Sequence, residues 1–241
     1  MLTLLALTAL SADPVALIGD DLSGWTGSVG DWSVEDGVLI GRTDGTLKAN
    51  RFIWHTGRPV ANFDLSVEVW ISDGGNSGLQ YRSEPIAEYG PFALTGYQCD
   101  IVSNRAEYNG MLYEEKGRRI LGRTGRLVVI DADAQPWVVS EMTRPTFPPE
   151  QWHTYRVRVV GNHHRHWIDG RPTVDVIDLD ERGRRLSGLL GMQTHVGPPM
   201  EVRFRNMQLT RLPDDLPLTD AVVPASAKKV VPQGGGKKRA K

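Results

Sequence analysis

Several things are scarce in this 241-residue chain, and each absence closes a door. There is one cysteine, Cys99, so no intramolecular disulfide framework can staple the fold. No apolar run is long enough to span a bilayer, which takes about 20 residues. No long stretch repeats its apolar residues every 3.6 positions, so helices do not organise the core. A Gly-rich phosphate loop, a Gly-x-Ser-x-Gly elbow and a Cys–His pair are all missing. Basic residues are scarce in the body. Six of the 28 Lys and Arg fall after residue 221, leaving 22 against 29 acids. An acidic body argues against a nucleic-acid-binding domain.

What remains is a sequence of short alternating runs. WSVEDGVLIG (32–41), FDLSVEVWIS (63–72), GLQYRS (78–83), GYQCDIV (96–102), TYRVRVVG (154–161) and GLLGMQTH (188–195) read as strands, separated by Gly, Asp, Asn and Pro. Strands at this spacing predict an all-β antiparallel sandwich or jelly roll. Asp36-Gly37 and Asp169-Gly170 predict two-residue hairpin turns. Residues 112–125 and 132–150 are expected as long loops over one face. MLTLLALTALSA (1–12) is expected to be a signal peptide, which would place the protein in the periplasm, cell envelope or medium. The folded domain is expected over 13–212. The basic stretch 213–241, poor in apolar residues, is expected to be disordered.

Alternation also sorts polar side chains by face. Gln80 and Arg82 share one face, opposite Leu79 and Tyr81. Gln98 and Asp100 share another, opposite Cys99 and Ile101. Gln193 and His195 make a third pair, opposite Met192 and Thr194. Any antiparallel sheet has a polar outer face. These six, however, are directional hydrogen-bonding groups and suit a hydroxyl-rich ligand. In YNGMLYEEKGRR (108–119), Tyr113 and Glu115 share a face and Glu114 points away. Trp54 and Tyr97 are candidate platforms for a sugar ring, with core packing the alternative for each. His163, His164 and His166 lack further ligands nearby and fit a hairpin better than a zinc site. Asp73-Gly74-Gly75-Asn76 lacks the spaced acids of a calcium loop. No metal or cofactor is expected.

Taken in order, LSGW, WSVEDGVLIG, NSGLQYRS, GYQCDI, YNGMLYEE, QWHTYRVRVVG, HWIDGRP, GLLGMQTH and FRNMQL resemble the 3-keto-disaccharide hydrolase domain family over residues 17–212. That resemblance implies a concanavalin-like sandwich, found mostly in exported bacterial proteins, acting on a 3-keto-glycoside. A ketone at C3 acidifies the C2 proton. Cleavage can then proceed by proton abstraction, elimination at C1 and hydration, which needs a base, an acid and donors for the enolate oxygen. Glu115, Asp100 and His195 are the candidate base and acid, and Arg82 the candidate enolate stabiliser. Gln80, Gln98, Gln193, Tyr113, Trp54 and Tyr97 are the candidate substrate-binding residues. The same fold and face would equally serve a non-catalytic carbohydrate-binding module or, with a flat face, an adhesion domain.

Overall fold

In FDLSVEVWI (63–71) the odd positions Phe63, Leu65, Val67, Val69 and Ile71 are buried, and the even ones are half-buried on the far side. A strand with one apolar face must cover it. Fully burying each such side chain contributes about 1.5–3 kcal/mol, so two sheets close on each other. The computed structural model describes residues 13–230. The leader expected over 1–12 and the last residues of the basic stretch lie outside them.

In chain order the strands are β1 (Val15–Ala16), β2 (Trp25–Gly27), β3 (Trp32–Glu35), β4 (Val38–Thr43), β5 (Arg51–His55), β6 (Phe63–Ile71), β7 (Asn76–Pro85), β8 (Leu94–Val102) and β9 (Leu112–Glu115). There follow β10 (Arg119–Gly122), β11 (Arg126–Ile130), β12 (Pro136–Glu141), β13 (His153–Val160), β14 (His163–Ile168), β15 (Arg171–Asp178), β16 (Leu189–Thr194), β17 (Met200–Arg211) and β18 (Lys228–Lys229). The larger sheet runs β18-β12-β11-β15-β14-β13-β6-β17-β4-β3, with β1 beside β17. The smaller runs β10-β9-β8-β7-β16-β5-β2. Pairing is antiparallel except between β11 and β15. The all-β antiparallel sandwich expected from the alternation is therefore the fold.

Both Asp-Gly turns form as expected. Asp36 and Gly37 have φ of 50° and 73°, and Asp169 and Gly170 have 49° and 72°. Two positive φ values in a row match the twist of the strands they join.

Three expectations need correction. Residues 112–125 are not one loop. They form the β9–β10 hairpin, which extends the smaller sheet. Residues 132–150 contain β12, which extends the larger. Residues 213–230 are not free of the domain. Pro213 O accepts from Asn62 Nδ2 at 2.7 Å, and Thr219 exchanges two hydrogen bonds with the buried Asn162 at 2.7 and 3.1 Å. Lys228 and Lys229 then pair with Val138 and Trp137. Backbone hydrogen bonds hold this strap, so its lack of apolar residues does not release it.

The core face of the smaller sheet carries unusual polarity. Tyr81 Oη lies 3.1 Å from His164 Nδ1 and 3.0 Å from His166 Nε2, all fully buried. His166 Nδ1 faces Gly110 O at 3.2 Å and must donate there, so its Nε2 accepts from the tyrosine. His164 then donates from Nδ1, and its Nε2 is left with no partner. Burial lowers both imidazole pKa values, His166 to about 4, so both are neutral. His163 is separate, 2.6 Å from Asp175. These histidines serve packing. Among the described residues no group of three or more His, Cys, Asp or Glu is placed to hold a metal ion. No described helix is long and apolar enough to cross a membrane.

Candidate active site

The outer face of the smaller sheet holds a cleft of about 730 Å³. Four strands supply its floor: Gln98 and Asp100 from β8, Tyr113 and Glu115 from β9, Asn76 from β7 and Gln193 from β16. His195 follows β16 at the rim. Gly74, Gly75, Ser103, Asn104, Arg105 and Tyr108 form one wall, and Asn50, Val196 and Pro198 also line the cleft. Of the six residues expected on one polar face, Gln98, Asp100, Gln193 and His195 are therefore brought together, and Gln80 and Arg82 are not. The core-facing neighbours Cys99, Ile101, Leu112 and Met192 are buried between the sheets, as the alternation requires.

Under the cleft runs a row of side-chain hydrogen bonds. Ser83 Oγ donates to Gln80 Oε1 at 3.0 Å. Gln80 Nε2 donates to Gln98 Oε1 at 2.5 Å, and Gln98 Nε2 donates to Asp100 Oδ1 at 2.5 Å. The register explains the row, because Gln80 lies directly opposite Gln98 and Gly78 opposite Asp100. A Cβ at Gly78 would overlap the Gln98 amide, so glycine makes the room in which that amide lies. Gln80 itself does not line the cleft. It stands behind Gln98 and fixes which end of that amide faces Asp100.

Asp100 is 6% exposed, and its carboxyl makes one side-chain hydrogen bond. Desolvation is the main reason its pKa is pushed up to about 8; the Gln98 bond opposes the shift and the Glu115 charge adds to it. Asp100 is therefore protonated at neutral pH. Glu115 is also buried, and Lys116 Nζ lies 3.2 Å from its Oε1. Two carboxyl groups in one cleft thus have different surroundings, one desolvated beside an amide and one beside an ammonium. The His195 pKa is lowered, chiefly by burial. Its Nδ1 lies 2.6 Å from Val196 O and donates there, which leaves Nε2 the acceptor nitrogen of the neutral ring. Gln193 is 1% exposed, and neither Nε2 nor Oε1 has a partner among the described residues. A buried amide without partners is costly, about 1–3 kcal/mol per group. In a cleft of this kind it is positioned for a ligand's polar atoms.

Besides Gln80, three expected site residues lie elsewhere. Arg82 does not share the face of Gln80. The β7–β8 register slips between Tyr81 and Glu84, and Arg82 takes φ 48°. This bulge turns its guanidinium inward, where it donates to Ala61 O, Gly161 O and Arg185 O at 2.6–3.0 Å. Ser83 takes the place on the cleft face that strict alternation assigned to Arg82. Tyr97 is fully buried in the core. It stacks on Tyr81 with ring centres 5.6 Å apart, and its hydroxyl donates to Asp178 Oδ2 at 2.8 Å. Trp54 lies over Gly27 of the edge strand β2, two strands away from β7, and does not line the cleft. Glu114 points to the core as expected, where Arg118 binds it at 2.6 Å. Sequence reasoning missed Ser83, Tyr108 and the cations Arg105, Lys116 and Arg119. These sit in the bulge, the wall and the hairpin tip, where no period-two signal operates.

Known proteins agree with this architecture. Among solved structures, the chain resembles a protein from Parabacteroides distasonis provisionally described as a glycosyl hydrolase (TM-score 0.58, 21% identity, 83% of this chain and 95% of that one). It also resembles a carbohydrate-binding module from Bacillus subtilis (0.52, 17%, 76% and 93%). A third is a Bacillus subtilis protein of unknown function with a galectin-like fold (0.53, 13%, 85% and 100%). At these identities the likeness concerns the fold. Among curated proteins no relative matches. The sequence pattern of the 3-keto-alpha-glucoside-1,2-lyase-like domain matches residues 13–210, nearly the whole sandwich and every residue of the cleft floor, and the chain belongs to that family.

Proposed function

We propose that this protein is an enzyme that cleaves 3-keto-glycosides at the glycosidic bond. The observation that carries the reading is the pair of buried carboxyl groups in one polar cleft, Asp100 with its pKa pushed up to about 8 by desolvation and Glu115 beside Lys116. Glu115 removes the proton from C2, and the electron pair moves into the C2–C3 bond as the ketone oxygen becomes an enolate. The unpartnered Gln193 amide donates to that oxygen, a task Arg82 cannot perform because its guanidinium is turned inward onto backbone carbonyls. The enolate collapses, the C1–O bond breaks and Asp100 gives its proton to the leaving oxygen. Water then adds across the C1–C2 double bond, its hydroxyl to C1, while protonated Glu115 returns its proton to C2. His195 Nε2 accepts the water's other proton. Asn76, Gln98 and Tyr113 supply donors and acceptors for sugar hydroxyls.

A binding module would use the same unpartnered amide without turnover. The two readings separate on matched substrates. The enzyme should release product from a 3-keto-glucoside and leave its unoxidised parent intact. Glu115→Gln and Asp100→Asn should each lower kcat/KM by about 10²–10⁴. A nitrophenyl leaving group needs no proton, so with it the Asp100→Asn loss should shrink while the Glu115→Gln loss persists. Binding without turnover of any 3-keto-glycoside would leave the module reading.

A further inference from the structure

The cleft has an excess of positive charge that the proposed chemistry does not use. Arg105, Lys116 and Arg119 line it, and the carboxyl groups facing them are Asp100 and Glu115. Lys116 is engaged by Glu115 and also lies 5.2 Å from the centre of the Tyr89 ring. Asp100 carries no charge at neutral pH. Arg105 and Arg119 are exposed, and neither side chain makes an ion pair with a described residue. Arg105 rests against Tyr108, 5.9 Å from the ring centre.

On the larger sheet, by contrast, several cations share carboxylates. Arg156 and Arg158 share Asp64, Arg205 meets Glu68, and Glu201 joins Arg42 and Arg203. In a chain whose Lys and Arg number 28 against 29 acids, a cleft with three cations facing two carboxyl groups is locally inverted. Lys116 and Arg119 flank the β9–β10 turn with φ of 55° and 71°, values that cost a side chain of this size about 1 kcal/mol or more each. Glycine at either position would relieve that cost, yet cations occupy both.

We infer that the glycoside bound in this cleft carries an anionic substituent, a carboxylate or a sulfate, which Arg105 and Arg119 recognise. This inference rests on the proposed function for the reaction, but the charge preference can be measured without turnover. A low-dielectric floor strengthens the attraction, and salt weakens it because both guanidinium groups meet solvent.

The test uses 3-keto-glucosides matched in shape, with a neutral, a carboxylated or a sulfated aglycone. At about 20 mM salt one anionic member should exceed the neutral one at least tenfold in kcat/KM, and the preference should fall to about twofold in 0.5 M NaCl. The variant carrying Arg105→Gln and Arg119→Gln should lose it at both salt concentrations. Equal kcat/KM for all three would overturn the inference and leave the proposed reaction standing. If no 3-keto-glycoside turns over, calorimetric titration with a glucuronate-containing disaccharide against its glucose counterpart decides the matter. Tighter, salt-sensitive binding of the acid supports the inference, and equal binding overturns it.

Discussion

At the scale of single residues, Asp100 joins stability to function. Its pKa rises from an ordinary carboxylate value to about 8 on folding, so the folded chain binds a proton more tightly than the unfolded one. Stability is fully present below the unfolded pKa near 4. It then falls as pH rises toward 8, by about 4 kcal/mol at pH 7. Asn at this position has no charge to desolvate. Asp100→Asn should therefore be more stable than the parent at pH 7 by up to that amount, and the two should converge near pH 4. Thermal melts at both pH values check this, and a variant equally stable or less stable at pH 7 would mean that Asp100 is an ordinary ionised aspartate. Function carries the same signature. If Asp100 must hold a proton for the leaving oxygen, kcat/KM of the parent should decline above about pH 8, and the residual activity of Asp100→Asn should lack that decline.

At the scale of strands, β7 shows how far alternation reads a site and where it stops. Gln98 with Asp100, and Tyr113 with Glu115, were legible because β8 and β9 run regularly through those positions. The same rule puts Tyr97 on the face of Cys99, in the core, so a platform role for it conflicted with the face already assigned to Gln98. Arg82 was not legible. A bulge adds a residue to one strand and exchanges faces beyond it, and nothing local in QYRSEP announces one. The glycine at 78 leads to a prediction. Gly78→Ala would push the Gln98 amide off its place and break the row that ends at Asp100. The strand would survive, since alanine is tolerated in extended backbone. We expect a loss of roughly 10- to 100-fold in kcat/KM with a stability cost of about 1–2 kcal/mol. Full activity in Gly78→Ala would show that Gln98 need not orient Asp100.

At the scale of the whole molecule, the sheets divide the labour. The smaller sheet presents the cleft, and the larger supports it across a shared core that includes Phe63, Val157, Val176 and Phe204. The order of strands in these sheets was not legible, because alternation fixes faces and leaves the choice of neighbours to long-range pairing. The C-terminal strap was misjudged for a related reason. Composition reports how much apolar surface a segment can bury, whereas residues 213–230 are held mainly by polar bonds to sites far back in the chain. Truncation after Asp214 would leave the buried Asn162 without its two bonds to Thr219 and remove β18 from the edge of the larger sheet. At about 1 kcal/mol for each bond, with a further penalty for the buried amide, the expected cost is about 2–4 kcal/mol. For a chain of this size that corresponds to a fall in Tm of roughly 5–15 °C. The cleft is built on the other sheet, so kcat/KM at 25 °C should stay within about twofold of the full chain. A truncated protein with an unchanged Tm would show that the strap only rests on the sandwich. One with normal Tm but impaired turnover would place the strap in the catalytic cycle, against the division of labour between the sheets.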